Sequence, residues 1–227
     1  MSKRTGLAAS LGLALSLAST ASLAEGSGWY FGVTGGQAEA DLSKAGGDFL
    51  AFTFFNAIDA DEFLGSTLDD SDTSFSLFGG YRVSEYFAVE AGYVDFGTME
   101  YRATGMVSPV GLPQTAVTFS ADVEATGFTV AAIGSVPIGN AFDVHGRAGV
   151  LFADTELTLG GSMLGVTASE SISDNSQDFF YGLGVGLQVG TNWSFSLDWQ
   201  QFKDVGDDEN IGEADVNRLS LGVIYRL

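Results

Sequence analysis

Glu90, His145, Arg147 and Asp198 carry the chemistry that most needs explaining in this chain. Each falls inside a stretch of alternating apolar residues, on the non-apolar side. A charge placed there must be paired or it is driven neutral. Glu90 and Arg147 are opposite in sign, as are Arg147 and Asp198, so the three are expected to form one network. Two roles stay open for it, an internal polar plug and the lining of a gated pore. His145 is the single histidine. A general base needs a positioned nucleophile or an orienting carboxylate, and the sequence identifies neither. With one histidine and no cysteine, zinc and copper sites are disfavoured. No catalytic residue and no cofactor are assigned.

Two further patterns invite chemistry. Gly182-Leu-Gly-Val-Gly-Leu-Gln-Val-Gly190 looks like a nucleotide loop, but that fingerprint needs a strand, a turn and then a helix. These glycines recur at every second position inside a strand. The acidic residues Asp59, Asp61, Glu62, Asp69, Asp70 and Asp72 crowd one segment. Asp204, Asp207, Asp208, Glu209, Glu213 and Asp215 crowd another. Calcium favours several carboxylate oxygens, so weak divalent binding stands beside simple solvated acidity.

The elements that hold these residues are strands. Eight segments alternate with a period of two, which makes one face of each apolar. They are Gly28 to Ala38, Thr73 to Val83, Phe87 to Tyr101, a fourth within Ala116 to Val136, Ala141 to Leu157, Asp178 to Val189, Trp193 to Phe202, and the last segment. In that last one Leu219, Leu221, Val223, Tyr225 and Leu227 alternate with Arg218, Ser220, Gly222, Ile224 and Arg226. Three connections are tight, at Ser84-Glu85, Ile138 to Asn140, and Gly190 to Asn192. Four are long and polar, at Leu42 to Asp72, Arg102 to Thr115, Thr158 to Gln177, and Lys203 to Ala214. Short turns on one rim and long loops on the other mark a transmembrane barrel. Aromatics near the strand ends suit its interfacial girdles. A soluble barrel would expose Lys, Glu and Thr outside, whereas the non-apolar faces here are rich in Gly and Ala.

The N-terminus fits export. Lys3 and Arg4 precede an apolar run from Leu7 to Ala18, and Ser22 and Ala24 are the small residues of a cleavage site. Residues 1–24 are therefore expected to be a signal peptide and residues 25–227 a single barrel domain. Loss of Lys3 and Arg4 leaves 7 basic against 29 acidic residues, a net charge of −22. Such a chain repels nucleic acid.

These stretches together resemble the eight-stranded membrane domain of the outer membrane protein A family. The resemblance is carried by Trp29 to Gln37, Ser76 to Gly97, Gly134 to Thr155, Phe180 to Phe202 and Leu219 to Leu227. It implies a closed antiparallel eight-stranded β-barrel in the bacterial outer membrane, with short periplasmic turns and long extracellular loops. It implies contact with outer-membrane lipid, lipopolysaccharide and the barrel assembly machinery, and a monomer. Family members often end in an aromatic residue read by that machinery. Here Leu227 is last and Tyr225 lies in register, so Leu219, Leu221, Val223, Tyr225 and Leu227 are the expected assembly signal. The family's peptidoglycan-binding domain is not expected to follow the barrel, and tethering to the cell wall is not carried over.

An eight-stranded barrel is just filled by its side chains. The expected function is thus structural, a scaffold displaying acidic loops for membrane integrity, adhesion or surface interaction. A narrow or gated channel and a lipid-modifying enzyme are the alternatives. The first loop carries an unusual apolar run, Phe49 to Ile58, in which Phe52, Phe54 and Phe55 are the expected interaction residues. Three readings stay open for it. With Leu50, Phe54 and Ile58 spaced four apart it forms a helical lid. With Phe52 and Phe54 in a period of two it extends the first hairpin. As an exposed apolar patch it docks a host or neighbouring surface protein.

Overall fold

The computed structural model describes residues 27–111, 113–207 and 212–227, so the expected signal peptide lies outside it, as do Asp208 and Glu209. Period-two alternation produces strands: β1 (Gly28–Ala40), β2 (Glu62–Asp69), β3 (Ser71–Ser84), β4 (Phe87–Val107), β5 (Thr115–Ile138), β6 (Phe142–Met163), β7 (Val166–Val189), β8 (Trp193–Asp207) and β9 (Gly212–Arg226). One helix, α1 (Lys44–Ala57), interrupts them after β1. Every pairing is antiparallel, and β1, β3, β4, β5, β6, β7, β8 and β9 form a ring of eight that closes where β9 pairs β1. Closure leaves the ring no unpaired edge. Strand β2 continues β3 past a break at Asp70. Both pair the same edge of β4, β3 opposite Phe87 to Asp95 and β2 opposite Glu100 to Met106.

Side chains alternate strictly across this wall. On β6, Phe142, Val144, Val150 and Phe152 face out and are exposed, while His145, Leu151 and Ala153 face in and are buried. From Phe142 to Phe152 the strand advances roughly 33 Å at ~3.3 Å per residue, or about 25 Å of height at a ~40° tilt. That height matches the apolar band of a membrane barrel. Aromatic pairs bracket it. Trp29 with Tyr81 (5.1 Å between ring centres) and Trp193 with Tyr225 (4.9 Å) mark the rim of tight turns. Tyr93 with Phe128 (5.4 Å) and Tyr181 with Trp199 (6.0 Å) mark the other.

Strands β4 to β7 are 21 to 24 residues long, against 13 to 15 for β1, β3, β8 and β9. The long strands therefore rise as a wall above the band. The connections on this rim are long, but they are mostly strand rather than open loop. Thr158 to Gln177, for instance, is a hairpin closed by Leu164 and Gly165 at φ 54° and 79°, the left-handed pair that a tight hairpin turn needs. A bulge at Gly97 (φ 81°) lets β4 keep its inward face as it leaves the band. A Cβ there would run into the Asp72 carboxylate, which accepts a hydrogen bond from the Thr98 amide at 2.8 Å.

Helix α1 leans on the inner face of this wall. Its Gly46 and Gly47 are poor helix formers, and Ser43 makes no side-chain cap, so tertiary packing holds it. Ala51 and Phe55 are buried against Tyr101, Ala103, Val107, Val117 and Phe119. The first connection is thus a helix followed by a hairpin extension. The side of the helix turned away from the wall is itself apolar, with Phe49 and Phe52 69% and 63% exposed.

Candidate functional site

Glu90 on β4, Arg147 on β6 and Asp198 on β8 meet inside the barrel. All three are inward positions of their strands, and β6 is next-nearest in the ring to both β4 and β8, which brings them to one level. Arg147 donates from Nη1 to Glu90 Oε2 at 3.3 Å and from Nη2 to Asp198 Oδ1 at 3.0 Å. Tyr30 OH donates to Glu90 Oε1 at 2.9 Å, and Ser196 Oγ to Asp198 Oδ2 at 2.6 Å. His145, which the sequence left outside the network, joins it. Its Nε2 lies 2.8 Å from Asp198 Oδ1 and its Nδ1 3.0 Å from Asp143 Oδ1. Each charge has a partner of opposite sign, as a low-dielectric interior requires.

The glycine repeat of β7 has its reason here. A Cβ on Gly184 would run into His145 and Asp198, and one on Gly186 into Asp143. The missing side chains at Gly184 and Gly186 are what leave the network its space.

A second arginine lies nearer the outer rim. Arg218 is 2% exposed, and it donates to Ser74 Oγ (2.8 Å), Gln200 Oε1 (2.9 Å) and Thr34 Oγ1 (2.5 Å), all neutral oxygens. Beside it Phe96, Phe180 and Phe202 fill the lumen. Phe180 stacks on Phe202 at 4.8 Å and Phe96 meets Phe202 edge-on at 4.8 Å. All three are at most 2% exposed. The sequence reading missed this layer, although continuing the alternation would have found it. Phe180 shares the parity of Gly182 and Gly184, Phe202 that of Asp198 and Gln200, and Phe96 that of Glu90.

Two small cavities flank the Glu90–Arg147 pair. One of about 40 Å³ lies on the turn side of the Glu90–Arg147 pair, and one of about 20 Å³ lies between that pair and the phenylalanines. Each holds a few waters at most. Both imidazole nitrogens of His145 face carboxylates, and the nearby Ser196 hydroxyl donates to Asp198.

Above the band, Asp48 ties α1 to the wall. It accepts from Tyr101 OH at 2.6 Å, from Lys44 Nζ at 3.0 Å and from Ser66 Oγ. Ser66, Tyr101 and Lys44 hold its carboxyl down at about 2. Burial, then the bond to Asp48, pushes Tyr101 up to about 12. The three phenylalanines singled out in this segment differ sharply. Phe55 is buried, Phe54 is half-buried against Phe119 at 5.3 Å, and Phe52 is exposed. Among the described residues, no three of the acidic side chains gather into a group that could hold a metal ion. Leu219, Leu221, Val223 and Tyr225 on β9 are 54%, 67%, 36% and 39% exposed, all toward the outside, and Leu227 just after the strand is 74% exposed.

Comparison with known proteins fits this geometry. The model of the OmpA-like transmembrane domain matches residues 24–227. Outer membrane protein A of Serratia marcescens is 30% identical over 154 residues, covering 66% of this chain and 38% of that protein. The same protein of Yersinia pseudotuberculosis is 30% identical over 152 residues, again covering 66% and 38%. The matched region is thus well under half of those relatives. Among solved structures, Neisserial surface protein A covers 89% of this chain and 100% of its own, with a TM-score of 0.52 and 16% identity. That is a likeness of fold alone.

Proposed function

From the premise that this chain belongs to the OmpA-like transmembrane domain family and sits in the bacterial outer membrane, we propose that it is a closed structural barrel carrying a rigid extracellular wall for surface interaction. The observation that carries this reading is the lumen. The Glu90–Arg147–Asp198 bridge and the Phe96, Phe180 and Phe202 layer cross it at two levels, with water-sized cavities of about 40 and 20 Å³ on either side of the bridge. A solute path would have to break both. No enzymatic step belongs to this reading.

The remaining parts follow from it. Residues 1–24 act as the export signal and residues 25–227 as the barrel. Lipid and lipopolysaccharide surround the apolar band. Leu219, Leu221, Val223, Tyr225 and Leu227, lined along one outward face, serve as the signal for the assembly machinery. A ring without a free edge favours a monomer.

Planar-bilayer recording tests the central statement. The native protein should show no steady conductance, and neither Arg147→Ala nor Phe202→Ala alone should open it, since one barrier survives in each. The double variant should conduct. Ohmic conductance of the native chain would replace this reading with a channel.

A further inference from the structure

Between α1 and the inner face of the β5–β7 wall lies an open groove of about 840 Å³. Leu50, Phe54 and Ile58 line it from the helix, and Phe119, Leu159 and Val166 from the wall. Its size falls within the ~300–1,000 Å³ of small-ligand sites. Phe54 is braced against Phe119, and the missing side chain of Gly161 keeps space before the Phe54 ring.

The groove stands far from lipid. Phe119 lies on β5 beyond Phe128, the girdle residue, by roughly 30 Å of strand or about 23 Å of height. Acyl chains of the bilayer do not reach it, so without a ligand it faces water. Apolar surface of this kind marks an interaction site.

The charge around the groove selects the ligand. Glu170 lines one side, paired across the hairpin with Leu159. At one end α1 terminates with Ala57 and Ile58 in the lining, and no basic residue sits in its last turn. The partial negative charge of that helix end is therefore uncompensated, and Asp59 follows directly. No lysine or arginine lines the groove. We infer that it binds a cationic amphiphile, with a hydrocarbon body along Leu50, Phe54 and Ile58 and an ammonium group at Glu170, while the negative helix end keeps the far end of the groove free of positive charge. A second copy of the chain is the disfavoured occupant, because each copy without residues 1–24 carries 7 basic against 29 acidic residues, −22. The inference rests on the proposed surface-interaction role.

The test uses the full chain in phosphatidylcholine nanodiscs, titrated calorimetrically with octyltrimethylammonium against empty discs. Octyl sulfate is the anionic control. Saturable binding is expected, with octyl sulfate at least about tenfold weaker. Glu170→Lys should lower affinity about tenfold by placing like charge at the site. Leu50→Arg should do the same by blocking the apolar track, and both variants should keep the heat-modifiable gel shift of a folded barrel. Heat equal to that of empty discs, equal binding of octyl sulfate, or an unaffected Glu170→Lys would each overturn the proposal. So would a native dimer in light scattering that Leu50→Arg dissolves, since a second copy would then fill the groove. Loss of the gel shift in the native chain would instead sink the barrel reading beneath it.

Discussion

The lower and upper halves of β5 obey opposite rules. In the membrane half, Phe128, Val130, Val136 and Ile138 point out and are exposed, while Ser135 and Ala131 point in. In the upper half Val117, Phe119, Ala121 and Ala125 point in and are buried, while Ser120, Asp122 and Glu124 point out. Strand β6 inverts the same way, from outward Phe142 to Phe152 to outward Asp154 and Glu156 with Leu157 and Leu159 inside. The ladder between β5 and β6 runs through without a break, so that pairing is indifferent to the change. Solvent decides it. Lipid demands an apolar exterior and tolerates polar groups only where they are paired inside. Water above the band restores the ordinary order, and the inverted inner face then needs a cover. Helix α1 supplies part of that cover.

Removing a charge inside the membrane half should have the largest effect. Arg147→Ala leaves Glu90 and Asp198 without their shared partner in the lumen, at a cost of about 3–5 kcal/mol. The loss should appear as a lower urea midpoint in lipid vesicles. Combined with Glu90→Gln it should be clearly non-additive. Additive losses would mean that the lumen does not couple these groups.

The inversion itself predicts that one substitution has two outcomes. Leu221→Arg faces mid-band and should cost about 2–4 kcal/mol. Thr118→Arg, outward but above the band, should stay within about 0.5 kcal/mol. Equal losses at both sites would place the upper wall in the bilayer.

Within the upper half, the phenylalanines of α1 should separate by burial. Phe55→Ser should loosen the helix by about 3 kcal/mol, near the low end for a core phenylalanine, because the open groove beside it allows relaxation. Phe52→Ser should change little. Proteolysis between Leu42 and Asp72 reads both, while the gel shift of the barrel stays unchanged. A folding failure in Phe55→Ser would tie the helix to ring assembly.

Ring order, turn rim and outward face were legible in the sequence because one period of two governs each strand through the band. Glu90, Arg147 and Asp198 were legible as inward charges for the same reason. Depth was not legible from parity alone. Phe96, Phe180 and Phe202 share their parity with the polar inward residues, and so were hidden among outward aromatics one position away, such as Phe179. The upper wall was read as strand only in part, because Arg102 to Thr115 and Thr158 to Gln177 were expected as loop, yet β4, β6 and β7 extend into them. The inversion within it was missed. Its signal is a change of phase, from apolar odd positions Val117 to Ala125 to apolar even positions Phe128 to Ile138. The segment Phe49 to Ile58 suited both helix and strand locally. The choice was made by tertiary contacts that no local pattern carries, the burial of Phe55 and the bond from Tyr101 to Asp48.

That bond gives the smallest expected effect and the one most specific to the upper half. Asp48 is held at about 2, below its unfolded range near ~3.9, so its contribution is full above ~3.9 and is lost as pH falls through about 2. Tyr101 is raised to about 12, above its unfolded value near ~10. Its contribution is full below ~10 and is lost as pH rises through about 12. Attachment of α1 should therefore be flat from about pH 4 to 10 and weaken outside that window on both sides. Pulsed hydrogen exchange across Lys44–Ala57, corrected for the intrinsic pH dependence of exchange, measures it. Tyr101→Phe keeps the ring against Gly47 but removes the hydroxyl. It should abolish the alkaline limb and shift the acid limb upward, because Asp48 then loses one of the donors that hold it ionised. An acid limb that stays in place would assign the depression of Asp48 to Ser66 and Lys44 alone. The hinge between helix and wall would then lie at β2 rather than β4.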